Sequence, residues 1–597
     1  MATLFSNVYA EDFTASGIMY SGNEETMTAT VVGHEDSFQE SAVVIPATVN
    51  GYQVVAIGIY AFMDYEKMTS VSLPDGLQSI GALGFFGCKN LTSIEIPNSV
   101  TIIDGDAFGD CTNLSEVMLP NSLTTITEFC FENCTSLTTI DIPNTVTSIG
   151  WSAFSGSGLA AINLPGSVTF IDDFVFLGCN NLVSVSIPNT VTRLGRGTFA
   201  ACKNLEKLFI PASVQSIAPE INGGYNTVQG CSKLTSIIIE EGNPTYDSRN
   251  NCNAIVETAT NELLAGCKGT VIPESVTSIR ELAFQYSSIT SIVIPSSIKT
   301  IKWATFWGCK DLTNITLPEG LETIEDQAFE ECLSLQSLTI PESVTAIGHD
   351  AFYAPDALTA IKVVEGNTVY DSRNNCNALI HTASNKLILA CMNTVIPETV
   401  TTIGEGAFGG IKSITSISIP ESVTSIEGWA FQSCEGLTSI TMPNNLKSIG
   451  ERAFQDCTGL TSFSIPASVT EIGPHVFGNI EKSLSRIYSY NEEPTDVDYY
   501  AFWNLATSTT LYVPAGTKSK YEQRVGWQVF HNIVEIGTFV NGDVNGDGAV
   551  NVGDIMAVIN YMAGQATGID KSVADVNGDG NVNVGDIMAV INIMAGK

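Results

Sequence analysis

The stretch that decides the fold is Leu91-Thr-Ser-Ile-Glu-Ile-Pro-Asn-Ser-Val-Thr-Ile-Ile-Asp-Gly-Asp-Ala-Phe-Gly-Asp-Cys111. With small changes it recurs along most of the chain, usually twenty-three residues apart, as from Pro97 to Pro120. The prolines that mark the copies are Pro74, Pro97, Pro120, Pro143, Pro165, Pro188, Pro211, Pro273, Pro295, Pro318, Pro341, Pro397, Pro420, Pro443 and Pro466. A period in the twenties predicts a solenoid, in which each unit buries its apolar face only against its neighbours.

Each copy predicts one short strand followed by a tight return of the chain. After Leu91, the apolar residues Ile94 and Ile96 alternate with polar residues, as they do in a short strand. The strand ends at Pro97, because proline has no N–H to donate to the ladder. We interpret Ile-Gly-x-x-Ala-Phe, as at 149–154, as a short helical turn that leads to the next parallel strand. Such crossovers are expected to be right-handed. A phenylalanine follows nearly every proline by eleven residues, so the stretch between them is the packed part.

Two copies carry matched insertions, at 242–254 and 366–378. In each, a short apolar run, a polar turn and a second apolar run predict a β-hairpin. The insertions are rich in Asp and Asn, which could ligate a metal or build tight turns. We favour turns, because these residues hydrogen-bond to their own backbone.

The fifteen cysteines are not a disulfide framework. Ten occupy one repeat position, which predicts a ladder of small buried thiols: Cys88, Cys111, Cys134, Cys179, Cys202, Cys231, Cys309, Cys332, Cys434 and Cys457. Disulfide geometry leaves Cys252 with Cys267, and Cys376 with Cys391, as the only candidate bridges, and we expect both pairs to be free. Zinc is not expected, because there is no CxxC motif and the five histidines are scattered.

The repeat resembles the BspA-like leucine-rich repeat of extracellular bacterial surface proteins, several of which are adhesins, over roughly residues 46–515. This resemblance implies an α/β chain: a right-handed leucine-rich-repeat solenoid with parallel strands. We expect a β-rich N-terminal cap at 1–45 and a solenoid at 46–537 that includes both hairpin insertions and a terminal cap.

Two near-identical segments near the C-terminus, 543–554 and 575–586, have the pattern of a calcium loop. Oxygen-bearing side chains stand at loop positions 1, 3, 5, 9 and 12, a backbone carbonyl is available at 7, and glycine at 6 permits the sharp turn. The alternative is a pair of Asn-Gly and Asp-Gly turns without metal. The sequence predicts two calcium ions, with ligands Asp543, Asn545, Asp547, Ala549, Asn551, Asp554, Asp575, Asn577, Asp579, Asn581, Asn583 and Asp586.

Each loop has Asp rather than Glu at position 12, and an apolar helix follows it while none precedes it. This arrangement resembles a type I dockerin over residues 540–597, which implies a small all-α calcium-binding domain. Dockerins attach extracellular proteins to cohesin modules. The resemblance places cohesin contacts at Val552, Gly553, Ile559, Asn560, Val584, Gly585, Ile591 and Asn592. These residues are apolar or neutral where clostridial members carry hydroxyls and bases, and some could instead lie in the domain core. The shared face predicts two alternative docking orientations.

The composition excludes several classes of partner. The net charge is −37, with 63 acidic against 26 basic residues, which argues against nucleic acid and anionic membranes. The sequence contains no run of eighteen apolar residues, so no membrane span is predicted. The first residues lack a basic and a long apolar segment, so we expect that a signal peptide has been removed or, less favoured, that export takes another route. The predicted location is extracellular, secreted or attached to the cell surface.

We find no catalytic motif. Gly404-Glu-Gly-Ala-Phe-Gly409 has the GxGxxG spacing but is one repeat's turn, outside any Rossmann context. The outward positions of the repeat strands are mostly Ser and Thr, which hydroxyl ladders between strands explain. Lys207, Phe209, Ile238 and Val293 break this rule and are candidate ligand-binding residues. Alternatively, an insertion hairpin covers them.

The sequence therefore predicts a non-catalytic, monomeric, adhesin-like protein. Its solenoid would present a surface to a host, microbial or matrix protein or polysaccharide, and its dockerin would attach it to a cohesin-bearing partner. Two alternatives remain open. The solenoid is a structural spacer without ligand, or the chain is a component of a polysaccharide-degrading complex with hydrolase activity.

Overall fold

The computed structural model describes residues 10–218, 224–503, 505, 509–536, 543–545, 550–563, 569, 571–577 and 582–595. The chain divides into two compact units. Unit 1 comprises Met1–Leu335 and Ala346–Phe352, and unit 2 comprises Gln336–Thr345 and Tyr353–Lys597. Both units are built mainly of short parallel strands, one coil stacked on the next, which confirms the predicted solenoid.

Most regular coils contribute a strand just before their proline, in what we name the first strand row. Ile94 lies opposite Val117 of the next coil, in parallel register. In unit 1 this row contains Ala42–Val44, Ser70–Ser72, Ser93–Glu95, Glu116–Met118, Ala161–Asn163, Ser184–Ser186, Lys207–Ile210, Ser236–Ile239, Ser291–Val293 and Asn314–Thr316. In unit 2 it contains Ser337–Ile340, Ala360–Val363, Ser416–Ser418, Ser439–Thr441, Ser462–Ile465, Arg486–Ser489, Thr510–Pro514 and Asn532–Ile536.

A second strand row follows the prolines, which the sequence analysis did not predict. Ser148 lies opposite Thr125 of one neighbouring coil and Phe170 of the other. Its members in unit 1 are Tyr52–Ile57, Ser79–Ile80, Ile102–Ile103, Thr125–Ile126, Ser148–Ile149, Phe170–Ile171, Arg193–Leu194, Ser216–Ile217, Ser278–Ile279, Thr300–Ile301, Thr323–Ile324 and Ala346–Ile347. Those in unit 2 are Thr402–Ile403, Ser425–Ile426, Ser448–Ile449 and Glu471–Ile472.

The Ile-Gly-x-x-Ala-Phe stretch is not the helical turn that we predicted. From Ser152 to Gly156 every second N–H donates to the next coil, as Ser152 N does to the Asp173 carbonyl (3.0 Å) and Phe154 N to Val175 (3.0 Å). The N–H groups between them close four-residue turns, in which the Ala153 N–H, for example, donates to the Gly150 carbonyl. Ser152 has φ +52°, in the left-handed region. A helix would use all these donors locally and could not stack coil on coil.

Phenylalanine and cysteine fill the core of this turn. Phe62, Phe85, Phe108 and Phe131 are fully buried and stack at centroid distances of 5.5–5.6 Å. The predicted thiol ladder is confirmed, since each of its ten cysteines donates Sγ–H to the carbonyl of the preceding coil's phenylalanine, at 3.0–3.3 Å. Burial raises the pKa of Cys88 to about 12. All fifteen cysteines are free and buried, including the two candidate pairs.

The N-terminal segment and both insertions are β-structures. Ala10–Ala15, Ile18–Asn23 and Thr28–His34 form an antiparallel meander that joins Tyr52–Ile57, which itself pairs with Thr48–Val49. The predicted hairpins are confirmed. The first contains Tyr246–Asp247, Ala254–Glu257 and Glu262–Gly266, with a 3₁₀ turn at Arg249–Asn251. The second contains Tyr370–Asp371, Leu379–His381 and Lys386–Leu389, with a 3₁₀ turn at Arg373–Asn375.

The remaining elements are short helices. Lys518–Glu522 (α1) and the 3₁₀ turn Trp527–Val529 lie between the last two strands. The C-terminal segment contains Val552–Met562 (α2), Lys571–Ala574 (α3) and Val584–Met594 (α4), and in its described part it has no strand, as predicted for an all-α domain. Its core consists of Val544, Ala557, Val558, Ala574, Val576 and Val590.

The phenylalanine stack yields a stability prediction. Phe131 is buried between Phe108 and Phe154, so Phe131→Ala removes two ring contacts and leaves a cavity. We expect the free energy of unfolding, measured by urea denaturation, to fall by about 3–5 kcal/mol. Phe209→Ala is the control. The Phe209 side chain is 46% exposed, so its removal should lower the free energy of unfolding by about 0.5 kcal/mol or less. Equal losses in the two variants would contradict the stacking account.

Candidate functional site

The two C-terminal loops each enclose one carboxylate. Asp554, at loop position 12, is fully buried, and its Oδ1 and Oδ2 accept hydrogen bonds from the backbone N–H groups of Asn545 (2.9 Å) and Asn551 (2.7 Å). Asp586 is equally buried and accepts from Asn577 (3.1 Å) and Asn583 (2.8 Å). Loop positions 3 and 9 are thereby held around position 12 in both copies.

Loop positions 9 and 11 fix the start of each following helix. The Asn551 side chain accepts from the N–H groups of Gly553 (2.7 Å) and Asp554. The Asp554 carboxylate accepts in turn from the N–H of Asn551, and these reciprocal Asn551–Asp554 bonds form a capping box. A Cβ on Gly553 would lie 2.6 Å from the Asn545 amide nitrogen. The second loop repeats this, at 2.8 Å between Gly585 and Asn577. Both glycines, predicted only as cohesin contacts, therefore also have a role inside the loop.

The described loop residues fit a hard cation. A buried carboxylate must be paired or bind a metal, and within the described ranges neither Asp554 nor Asp586 forms an ion pair. Two backbone donors leave further acceptor capacity on each carboxylate. Carboxylate and amide oxygens are the donor set that Ca²⁺ prefers. Asp547, Ala549, Asp579 and Asn581 lie outside the described residues, and in the rest no three His, Cys, Asp or Glu side chains converge on a metal position.

Helices α2 and α4 expose the same apolar row. Val552 and Val584 are 63% and 62% exposed, and Ile559 and Ile591 are 39% and 38% exposed, so these predicted contact residues do not lie in the domain core. Four exposed methionines extend the rows and were missed by the sequence analysis: Met556, Met562, Met588 and Met594. The methionines follow each valine by four and ten residues and the isoleucine follows it by seven, and this helical spacing was the available signal.

The apolar positions of the solenoid are also exposed. Phe209 lies directly opposite Ile238 in the first strand row of unit 1, and they are 46% and 45% exposed. Lys207, opposite Ser236, is exposed beside them, and Val293 is 65% exposed. The insertion hairpin therefore does not cover them. Val271, which the sequence analysis missed, stands two residues before Pro273, as Val293 does before Pro295, and is 72% exposed.

The Asp and Asn clusters of the insertions build turns, as we favoured. The Asn243 side chain accepts from the N–H groups of Thr245 and Tyr246 (both 2.9 Å), and Asp247 forms an ion pair with Arg249 (2.7 Å). In the second insertion Asp371 pairs with Arg373 in the same way. Burial alone would raise the pKa of Asp371, but hydrogen bonds from Arg373 lower it overall.

The structure gives the remaining motifs ordinary structural places. Gly404 N donates to the Leu387 carbonyl and Ala407 N to Gly404, so Gly404–Gly409 is a solenoid turn, as predicted. No helix in the described ranges is long and apolar enough to cross a membrane.

Comparison with protein families gives two matches. The model described as BspA type leucine rich repeat region matches residues 55–183, 153–260, 250–359 and 388–509, and the model described as dockerin type I domain matches residues 541–595. No curated protein matches the chain.

Several solved structures are similar. A Bacteroides ovatus leucine-rich repeat protein is 22% identical, over 84% of this chain and 100% of its own, with a TM-score of 0.38. A leucine rich cell surface protein from Faecalibacterium prausnitzii is 22% identical, over 86% and 98%, with a TM-score of 0.34. A leucine rich repeat protein from T. pallidum is 31% identical, over 33% and 91%, with a TM-score of 0.30. The repeat matches span more than half of the sequence, so the chain belongs to the BspA-type leucine-rich repeat family and carries a type I dockerin domain at its C-terminal end.

Proposed function

We propose that this protein is a non-catalytic extracellular binding protein, whose solenoid presents a ligand surface and whose dockerin attaches it to a cohesin-bearing partner. The observation that supports this most is the duplication in the dockerin. Each of the two loops encloses a buried carboxylate at the same loop position, and each of the two helices that follow exposes an equivalent apolar row. Type I dockerins bind calcium and dock to cohesins, and proteins with these repeats and dockerins are typically extracellular or on cell surfaces.

The dockerin is proposed to bind two calcium ions, one in each loop. The ligands would be the side chains at positions 1, 3, 5, 9 and 12 with the carbonyl at position 7, as the sequence predicts. When bound, calcium supplies the positive charge that offsets the clustered carboxylates. Without it, Asp543 and Asp554 of one loop repel each other, which disfavours the closed loop.

The docking surface is proposed to be the exposed rows of α2 and α4, with the exposed methionines added to the predicted residues. Methionine is flexible and polarisable and therefore suits an adaptable apolar contact. Neither row, from Val552 to Met562 or from Val584 to Met594, contains a Lys or Arg. The two rows match residue for residue except at Tyr561 and Ile593, so either helix could occupy the same partner site.

The ligand surface of the solenoid is proposed to include Lys207, Phe209, Ile238 and Val293, with Val271. Exposed apolar side chains at equivalent positions of nearby coils are typical of a contact patch. The spacer alternative predicts no ligand here. The hydrolase alternative ranks third, because no convergent catalytic cluster was found in the sequence.

Calcium binding gives a stoichiometric prediction. Calorimetric titration of the protein with calcium should show two ions, one fewer for Asp554→Asn or Asp586→Asn, and none for the double variant, because each substitution removes a buried ligand charge. Asp75→Asn, an exposed solenoid carboxylate with the same change of charge, is the control and should bind two. A wild-type protein that binds no calcium in this titration, or a double variant that still binds two ions, would refute the assignment.

Docking gives a prediction about symmetry. Val552→Asp with Ile559→Asp should weaken capture on an immobilised cohesin little, and so should the same pair in α4, because the other helix still docks. All four together should abolish capture, whereas Val395→Asp, which is 72% exposed in the solenoid, should change nothing. Capture by the wild type should vary little with salt, because the contact is apolar. A large loss from one helix alone would show a single docking orientation.

The solenoid surface is tested separately from docking. Phe209→Asp with Ile238→Asp should reduce retention on immobilised matrix proteins or polysaccharides at least about tenfold, which corresponds to about 1.4 kcal/mol. Val395→Asp again serves as the control. Retention that the double variant leaves unchanged would exclude this patch. If the wild-type protein is retained on no surface, the spacer alternative is favoured.

A further inference from the structure

A second surface in unit 2 has features that the proposed patch lacks. An open groove of about 540 Å³ runs across three successive coils of the second strand row and the segment 496–498 of the coil that follows. Ser425, Ser448, Glu471 and Asp496 lie along its length. A groove that crosses coils accommodates an extended chain rather than a compact molecule.

Glycines line this groove where neighbouring coils lie close together. Gly428, Gly450 and Gly473 line it in three successive coils. A Cβ on Gly450 would lie 2.4 Å from the backbone nitrogen of Gly428, and one on Gly473 would lie 2.5 Å from that of Glu451. The close approach of the coils therefore requires glycine here.

An aromatic cluster stands beside one end of the groove. Tyr499, which directly follows the groove residue Asp498, is 50% exposed, Tyr500 is 47% exposed and Trp503 is 48% exposed. The Tyr500 ring lies 5.1 Å from that of Tyr499 and 5.5 Å from that of Trp503, and it stacks on His475 at 5.7 Å. The rings therefore hold each other in place while remaining open to solvent.

The groove also offers hydrogen-bond acceptors. Glu471, Asp496 and Asp498 are exposed along it. Asp498 accepts from the N–H of Tyr500 (2.8 Å) and Asp496 from that of Val525 (2.9 Å), so their positions are fixed by the backbone. One such bond leaves further acceptor capacity on each carboxylate.

We propose that this groove and its aromatic cluster bind a neutral polysaccharide. The C–H face of a pyranose ring is weakly positive and packs on the negative face of an aromatic ring. The hydroxyl groups of a sugar donate hydrogen bonds to carboxylates such as those in the groove, and a chain of sugar units can extend along the groove. The acidic lining and the net charge of −37 repel uronate, sulfated and nucleic-acid polymers, so the polysaccharide that fits this groove is a neutral one. This inference deepens the proposed binding role and rests on it.

The test is affinity electrophoresis of the whole protein in gels that contain mixed-linkage β-glucan, galactomannan or arabinoxylan, with polygalacturonate as the anionic comparison. At least one neutral polymer should retard the wild type, and polygalacturonate should not. Tyr500→Ala and Trp503→Ala should each weaken binding at least about tenfold, or about 1.4 kcal/mol. Trp151→Ala, at a 41% exposed tryptophan in unit 1, is the matched control and should migrate like the wild type.

Two results would overturn the proposal: no retardation by any of the three neutral polymers, or retardation that neither Tyr500→Ala nor Trp503→Ala reduces. Glu471→Lys, at an exposed groove residue, provides a variant that leaves the cluster intact and should also weaken binding. If none of the neutral polymers retards the protein while Phe209→Asp with Ile238→Asp still reduces retention of a protein ligand, the binding role stands and this site alone is excluded. Chelator should not affect polymer binding, whereas it should abolish cohesin capture.

Discussion

The stacking of one coil on the next is the interaction on which the rest of the structure depends. Every second N–H of the turn donates to the neighbouring coil, and the phenylalanine rings lie almost parallel, with an interplanar angle of 4° between Phe85 and Phe108. Because neighbouring coils must match residue for residue, a residue type repeated in the sequence becomes a row in space. The thiol ladder, the outward Ser and Thr positions and the exposed apolar patch are all consequences of this register.

Insertions are accommodated only where they restore that register. The first hairpin returns the chain through Glu262–Gly266, which pairs in parallel with the next regular strand. Gly266 lies against Phe284, where a Cβ would be 2.1 Å from the ring, and the next series of stacked phenylalanines begins there. The polar residues of the insertion satisfy each other, as Asp247 and Arg249 do, and need no ligand.

The sequence predicted those parts of the fold that depend on strongly repeated side chains. Proline and phenylalanine stand in fixed register, so the coils, the thiol ladder and the hairpins were predictable. The turn was predicted wrongly because its left-handed position is occupied in most coils by residues other than glycine, as different as Leu83, Phe129 and Ser152. Stacking across coils imposes that conformation, and single-repeat periodicity does not report it. The exposed methionines were missed for a related reason, since an apolar residue on a short helix indicates a core as readily as a contact face.

The solenoid and the dockerin differ in the interactions that stabilise them. The solenoid obtains its order from backbone ladders and apolar stacking, and its candidate binding residues project from rigid strands or lie beside them. In the described part of the dockerin the core is small, with Val558 and Val590 fully buried, and the two loops are organised around buried carboxylates. We therefore expect calcium to control attachment, while ligand binding by the solenoid is independent of the metal.

Amide hydrogen exchange of the whole protein, with calcium and with chelator, tests this division most directly. The account predicts that chelator accelerates exchange in the dockerin, at amides such as those of Asn551 and Asn583 that donate to the buried carboxylates. Turn amides of the solenoid, such as those of Phe108 and Phe154, should exchange at the same rate in both conditions. Faster exchange of these solenoid amides in chelator, or unchanged exchange in the dockerin, would contradict the account.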